Sequence, residues 1–204
     1  LVCERSIKDS DVVHIHALWS PCNAQIAEIA KRNNVPWVVS VHGVLDDWSM
    51  AQKGLKKRIY LATIIRSMLR GASTILTTAE EELRQASKWL PHDRISSIPC
   101  IVDLEPYKEI PSPQAAIDKF GLAEEPTILF LSRVHPKKSI ETLIEATSIL
   151  KKRGIEIRVL IAGTGDDHYK QKMEQLAKKL HVSEQVEFLG LVVGDLKLSL
   201  YALA

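Results

Sequence analysis

Two kinds of apolar pattern alternate along the chain. Short β-branched runs suit buried strands, and between them apolar residues recur every three or four positions, as on one face of a helix. Strands are predicted at residues 11–16, 37–41, 73–77, 95–99, 127–132, 156–162 and 186–189. Strand alternating with helix is the signature of βαβ units and a parallel sheet, so an α/β fold is expected. Helix ends carry their own marks. Ser20 before Pro21 reads as an N-cap with proline at the first helical position. Thr78 with Glu81 reads as a capping box. Gly71, Gly121 and Gly154 stand where a helix needs a left-handed residue past its last turn.

The alternation breaks once. From Cys100 to about Glu125 the sequence is irregular, with Pro106, Pro111, Pro113 and Pro126 and one short helical stretch at 114–120. A linker there divides the chain into domains at 1–109 and 110–204, with four and three strands. Neither half makes a complete doubly wound domain, and three strands predict an open sheet edge and part of a core unburied. The opening Leu1 is not a methionine, and the chain stops within an apolar helical pattern at Ala204. A fragment of a longer protein is expected, inactive by itself.

Composition narrows the function classes. In 204 residues, 27 Lys+Arg against 25 Asp+Glu leave a net charge of +2, too little for a dedicated nucleic-acid binder. Cys3, Cys22 and Cys100 are scattered and form no CxxC, which argues against a disulfide framework or zinc ribbon and for a reducing cytoplasm. No signal peptide or apolar run of membrane-spanning length is visible.

The sharpest candidate chemistry is the run from Leu129 to Ser139, where a buried strand ends at Ser132 and a helix at 140–152 follows. In open α/β sheets ligands bind beyond the carboxyl ends of strands, beside helix N-termini that favour anions. Arg133 and Lys138 on that loop provide a forked donor and a point charge suited to phosphate oxygens. Solvated loop cations are the plain alternative. Cations before a helix start are disfavoured by its dipole, which favours a bound anion as their explanation.

Three other features invite readings. His14 and His16 face one side of a strand, and with His42 and Asp46 or Asp47 they suggest a divalent-metal site at the mouth of a barrel. That fold needs eight strands and ligands at later strand ends, where this chain offers Arg133 and Gly163. Gly163-Thr164-Gly165 lacks the third glycine of a dinucleotide fingerprint, because position 168 is His168. These glycines either bring backbone close to a donor or make a tight turn. Residues 53–70 form a basic amphipathic helix, with Leu55, Ile59, Ala62, Ile65 and Leu69 along one stripe. The stripe is expected to pack into the first domain, while Lys53, Lys56, Lys57, Arg58, Arg66 and Arg70 can face an anionic bilayer.

A family resemblance joins these pieces. Arg133 and Lys138, with Ser132 and Ser139 in place of two glycines, resemble the diphosphate-binding turn of the retaining GT-B glycosyltransferases of group 1, or family 4. Asp11-Val12-Val13-His14, Val41-His42-Gly43, Ile98-Pro99-Cys100-Ile101-Val102-Asp103, Leu160-Ile161-Ala162-Gly163-Thr164-Gly165 and Val186-Glu187-Phe188-Leu189-Gly190 are similar to further stretches of that family, in order. Cys100-Ile101 departs from the usual Asn-Gly, and the family's first strand and its Glu-x7-Glu region are missing.

The resemblance implies a GT-B-like α/β fold, with two Rossmann-like domains, both incomplete, whose parallel sheets face a cleft. It implies a hexosyltransferase-like enzyme that moves a sugar from a nucleotide-diphospho-sugar to a glycan or lipid-linked acceptor, without metal or other cofactor. His42, Arg133 and Lys138 would be catalytic, Gly163, Gly165 and Gly190 would join the two cations at the donor, and His16 and Gly43 would line the acceptor side. Nucleic acid is not expected as a partner. The location expected is cytoplasmic, at the inner face of the membrane through residues 53–70. A non-catalytic sugar-nucleotide-binding module is the alternative from another class.

Overall fold

A computed structural model describes the chain except Leu1, Pro91, Ala123 and Glu124, and describes the backbone alone at Val2, Cys3 and His92. The Cys3 thiol, the first residue of the chain and linker positions 123–124 therefore lie outside the described residues. The other two cysteines, Cys22 and Cys100, are free and exposed. The chain folds as two compact units, Leu1–Val102 and Asp103–Ala204.

In the first unit the elements run α1 (Val2–Lys8), β1 (Val13–His16), α2 (Pro21–Arg32), β2 (Trp37–Ser40), α3 (Asp47–Ala51), α4 (Gly54–Ala62), α5 (Arg66–Gly71), β3 (Thr74–Thr77), α6 (Glu80–Ala86) and β4 (Ile95–Ser97). The four strands are parallel in the order β1-β2-β3-β4. Their register sets Ile15, Val39, Ile75 and Ile95 in one row. That row packs on Ala27 and Ala30 of α2, Met68 and Leu69 of α5, and Ala86 of α6. Period-two alternation puts His14, His16, Val38 and Ser40 on the opposite face.

The second unit runs α7 (Gln114–Phe120), β5 (Thr127–Leu131), α8 (Ile140–Lys152), β6 (Arg158–Ala162), α9 (Asp167–Lys179), β7 (Val186–Gly190) and α10 (Gly194–Leu203). A parallel sheet β5-β6-β7 has helices on both sides. Val159 and Ile161 face Ile140 and Ile144 of α8 and Met173 and Ala177 of α9. Leu160 and Ala162 face Ala116 of α7 and Leu200 of α10. The open edge and partly unburied core expected of three strands are found at edge strand β5, none of whose residues is fully buried and where Ile128 is 40% exposed. In central β6, by contrast, Val159, Leu160 and Ile161 are all fully buried. Each such aliphatic side chain contributes about 1.5–3 kcal/mol relative to exposure.

Local readings are corrected at three places. The capping box at Thr78 and Glu81 does not form. Thr78 N–H and O–H instead bond the carboxylate of Glu82 at 2.7 and 2.8 Å, while Glu81 takes the Arg84 fork at 2.5 and 2.7 Å. Gly71 ends α5 without a left-handed turn, unlike Gly121 (φ 63) and Gly154 (φ 74). Its role is closeness, since a Cβ there would lie 2.5 Å from the Trp37 ring. The single helix expected at 53–70 is two, α4 and α5, broken between Ala62 and Arg66. The break rotates the stripe, so that Ile65 and Leu69 are buried while Leu55 is 76% and Ile59 56% exposed.

Candidate functional site

At the carboxyl end of the first sheet, His16 closes β1 and His42 lies two residues past β2. Asn23 of α2 donates to the carbonyls of His16 and Ala17 at 2.8 and 3.0 Å, which holds the β1–α2 turn in place. His14 Nε2 meets Ser40 Oγ at 2.7 Å, and His16 Nδ1 meets His42 Nε2 at 2.7 Å. Burial, and then the neighbouring His16 and His42, push the His14 pKa below its ordinary value.

The turn that carries His42 is unusual in backbone terms. His42 and Gly43 both have positive φ, 55 and 68°. Left-handed conformation costs a non-glycine residue, although histidine tolerates it better than most. Helix α6, with Lys88 just past its end, holds this turn from outside. The Glu82 carboxylate accepts the Gly43 N–H, Gln85 Oε1 accepts the Asp47 N–H at 2.9 Å, and Lys88 pairs with Asp47 at 2.7 Å. Glu82 escaped the sequence reading, which paired Thr78 with its neighbour Glu81. The only available signal was that position 82 lies four residues beyond Thr78.

Asp46 caps α3 by accepting Ser49 N–H at 2.6 Å, so both aspartates of the metal reading serve local structure. Among the described residues no group of three or more His, Cys, Asp or Glu is placed to hold a metal ion.

In the second unit the loop after β5 is laced to the loop after β6. Ser132 N–H donates to Ala162 O at 3.1 Å, Val134 N–H to Thr164 O at 3.0 Å, and Asp166 N–H to Val134 O at 3.2 Å. Gly163 and Gly165 make the lacing possible. A Cβ at Gly163 would lie 1.9 Å from Ser132 O, and one at Gly165 would lie 2.0 Å from Val134 O. Loop-against-loop closeness thus accounts for both, beyond the donor approach or tight turn read from sequence. Gly190 (φ 72) accepts the Gly163 N–H at 2.7 Å, which joins the third strand end to the other two.

Buried Val134 anchors the loop between exposed Arg133 and the 3₁₀ turn Pro136–Lys138. His135 Nδ1 accepts the Lys137 N–H at 3.2 Å within that turn. Ser139 then enters α8 in left-handed conformation (φ 50, ψ 48), the geometry for which the resembled turn has a glycine. Neither Arg133 nor Lys138 has an ion pair among the described residues, and both are exposed. The first N–H of α8, at Ile140, is taken by the Tyr169 hydroxyl at 3.2 Å, and that hydroxyl donates to Glu141. Burial first, and then the Glu141 bond, push the Tyr169 pKa up to about 12. An anion at this helix start would therefore depend on the two cationic side chains.

Residues 7–100 match the family described as glycosyl transferase 4-like domain, and residues 114–204 match glycosyl transferases group 1. The chain belongs to the group 1 glycosyltransferases. It is 28% identical over 191 residues to a GDP-mannose-dependent α-(1-6)-phosphatidylinositol monomannoside mannosyltransferase of Mycobacterium tuberculosis, covering 89% of this chain and 46% of that protein. To a D-inositol 3-phosphate glycosyltransferase of Nocardia farcinica it is 29% identical, covering 88% of this chain and 41% of that protein. The chain thus spans less than half the length of these relatives. Its fold is that of GT-B glycosyltransferases: Anabaena HepE, solved with UDP and glucose, superposes with a TM-score of 0.76 at 17% identity, covering 98% of this chain and 53% of that one.

Proposed function

We propose that this group 1 glycosyltransferase moves a sugar from a nucleotide-diphospho-sugar to a glycan or lipid-linked acceptor, with retention of configuration and without metal. Arg133 and Lys138 neutralise the diphosphate, on which negative charge grows as the bond to the sugar breaks. The strand-end glycines Gly163, Gly165 and Gly190 shape the donor side, His42 touches the sugar, and His16 and Gly43 belong to the acceptor side. The observation that carries this reading is the pair of unpartnered cations on the laced loop before α8. Calorimetry tests it: in the full-length protein, Arg133→Ala and Lys138→Ala should each weaken UDP or GDP binding roughly tenfold or more, as loss of a charge-assisted bond does. Unchanged affinity in both variants sinks the assignment.

The lipid-linked acceptor and the inner membrane face are supported by α4. Residues 48–79 contain Lys53, Lys56, Lys57, Arg58, Arg66 and Arg70 and no carboxylate. Leu55 and Ile59 stand exposed beside Lys56 and Arg58. An apolar stripe flanked by cations suits an anionic bilayer. No described helix is long and apolar enough to cross a membrane. The protein should sediment with vesicles containing phosphatidylglycerol and not with pure phosphatidylcholine. Leu55→Asp with Ile59→Asp should abolish this, and binding that survives the double change refutes the contact.

A further inference from the structure

His16 closes β1 and His42 sits in the turn after β2, 26 residues away, yet their imidazoles meet as a pair. The Nδ1···Nε2 distance is 2.7 Å, the rings lie 11° from coplanar, and their centroids are 5.0 Å apart. Two nearly coplanar rings at that separation, with nitrogens that close, meet edge to edge, with the contact along the line of centres. That is the geometry of a direct N–H···N hydrogen bond. His14, whose ring centroid is 4.1 Å from that of His16, is itself tied to buried Ser40 and supports the pair from below.

Such a bond holds one proton between two neutral rings. If His16 Nδ1 carries it, then His16 Nε2 is bare and His42 Nδ1 bears a hydrogen. If His42 Nε2 carries it, the outward nitrogens exchange roles. In either tautomer the two outward nitrogens, His16 Nε2 and His42 Nδ1, are one donor and one acceptor. Neither has a hydrogen-bond partner among the described residues, and both side chains are exposed. A lone neutral histidine also has one donor and one acceptor, but its two nitrogens point away from each other across a single ring. The pair spreads the two roles over two rings.

We infer that His16 and His42 act as one hydrogen-bonding unit toward a sugar hydroxyl, with His16 a positioning residue that orients the His42 ring and couples its tautomer to its own. This rests on the reading that His42 touches the sugar. A hydroxyl both donates and accepts, so a unit that offers one of each can match it. The left-handed turn at His42 and the Glu82 brace beneath Gly43 keep the second ring in line with the first.

Two measurements test the unit. With ¹⁵N-histidine labelling, long-range ¹H–¹⁵N correlation of the protein should show a scalar coupling across the His16 Nδ1···His42 Nε2 bond. His16→Phe, which keeps a ring without nitrogens, should remove the coupling and shift the His42 nitrogens toward those of an isolated histidine. In transfer assays of the full-length protein, His16→Ala should lower kcat by up to about tenfold, the weight of one positioned hydrogen bond. His16→Asn, which keeps a polar atom near Nδ1, should restore part of it, and the His16→Ala/His42→Ala double variant should be no slower than His42→Ala. His42 nitrogens unmoved by His16→Phe, or strictly additive losses, overturn the inference. If the coupling is present but His42→Ala turns over at the wild-type rate, the placement of His42 at the sugar fails, and the substrate role of the pair with it.

Discussion

The Glu82 carboxylate accepts the backbone N–H of Gly43, 39 residues away in sequence, and with its other oxygen accepts both the N–H and the hydroxyl of Thr78. One side chain thereby joins the turn after β2 to the turn after β3. Glu82→Ala leaves two backbone donors in a half-buried place without their acceptor, a loss of roughly 1–3 kcal/mol. Glu82→Gln keeps an acceptor and should cost less. Urea denaturation of both variants provides the comparison. Equal stabilities for Ala, Gln and the parent would mean that solvent replaces the brace.

Ser139 enters α8 with φ 50 and ψ 48. Left-handed backbone costs a residue with a Cβ about 1–2 kcal/mol, which glycine avoids. Ser139→Gly is therefore expected to raise the melting temperature, and Ser139→Val to lower it. A fall in melting temperature with glycine would refute the strain argument.

Gly163 and Gly165 have no room for a methyl group against Ser132 O and Val134 O. Gly163→Ala or Gly165→Ala must push the two strand-end loops apart, at a cost of roughly 1–3 kcal/mol. Because Arg133 lies between Ser132 and Val134, the same changes should weaken nucleotide binding even where the protein stays folded. Calorimetry alongside thermal melting separates the two effects. Full stability in either variant contradicts the close approach.

Burial and the neighbouring His16 and His42 hold the folded-state pKa of His14 below the ordinary histidine value of 6.5. Below about that pH the unfolded chain binds a proton that the folded chain resists. Stability attributable to this group is then present at neutral pH and lost as pH falls through the window beneath 6.5. His14→Gln should flatten that part of the profile of melting temperature against pH while leaving neutral pH almost unaffected. An unchanged acid slope in the variant would assign the loss to other groups.

Much of the fold was legible in the sequence where a local pattern decides it. The helix read at 140–152 is α8, Ile140–Lys152, and all seven predicted strands form with ends within two residues of those expected. Periodicity suffices there because each segment must bury one face or both, whatever its partner. The loop with Arg133 and Lys138 was legible for a related reason, since a βα turn places its residues at the sheet end without help from distant contacts.

Other features depended on which segments meet. The 53–70 stripe has one helical period throughout, but the helix breaks between Ala62 and Arg66, which leaves Ile65 in the core and Leu55 outside it. Gly71 answers to Trp37 and not to its own helix end. Glu82 rather than Glu81 braces the turns, because only its side chain reaches Gly43.

By itself, the sequence determined the alternation of strand and helix, the cationic loop before α8 and the glycines at the strand ends, all consequences of nearest neighbours and hydrophobic period. Only the tertiary structure decided that His16 meets His42, that Glu82 holds Gly43, and that Gly163 and Gly165 lace two loops together. Those contacts arise when parallel strands settle in register and bring distant loops to one edge, and their energy depends on separations that no local pattern encodes.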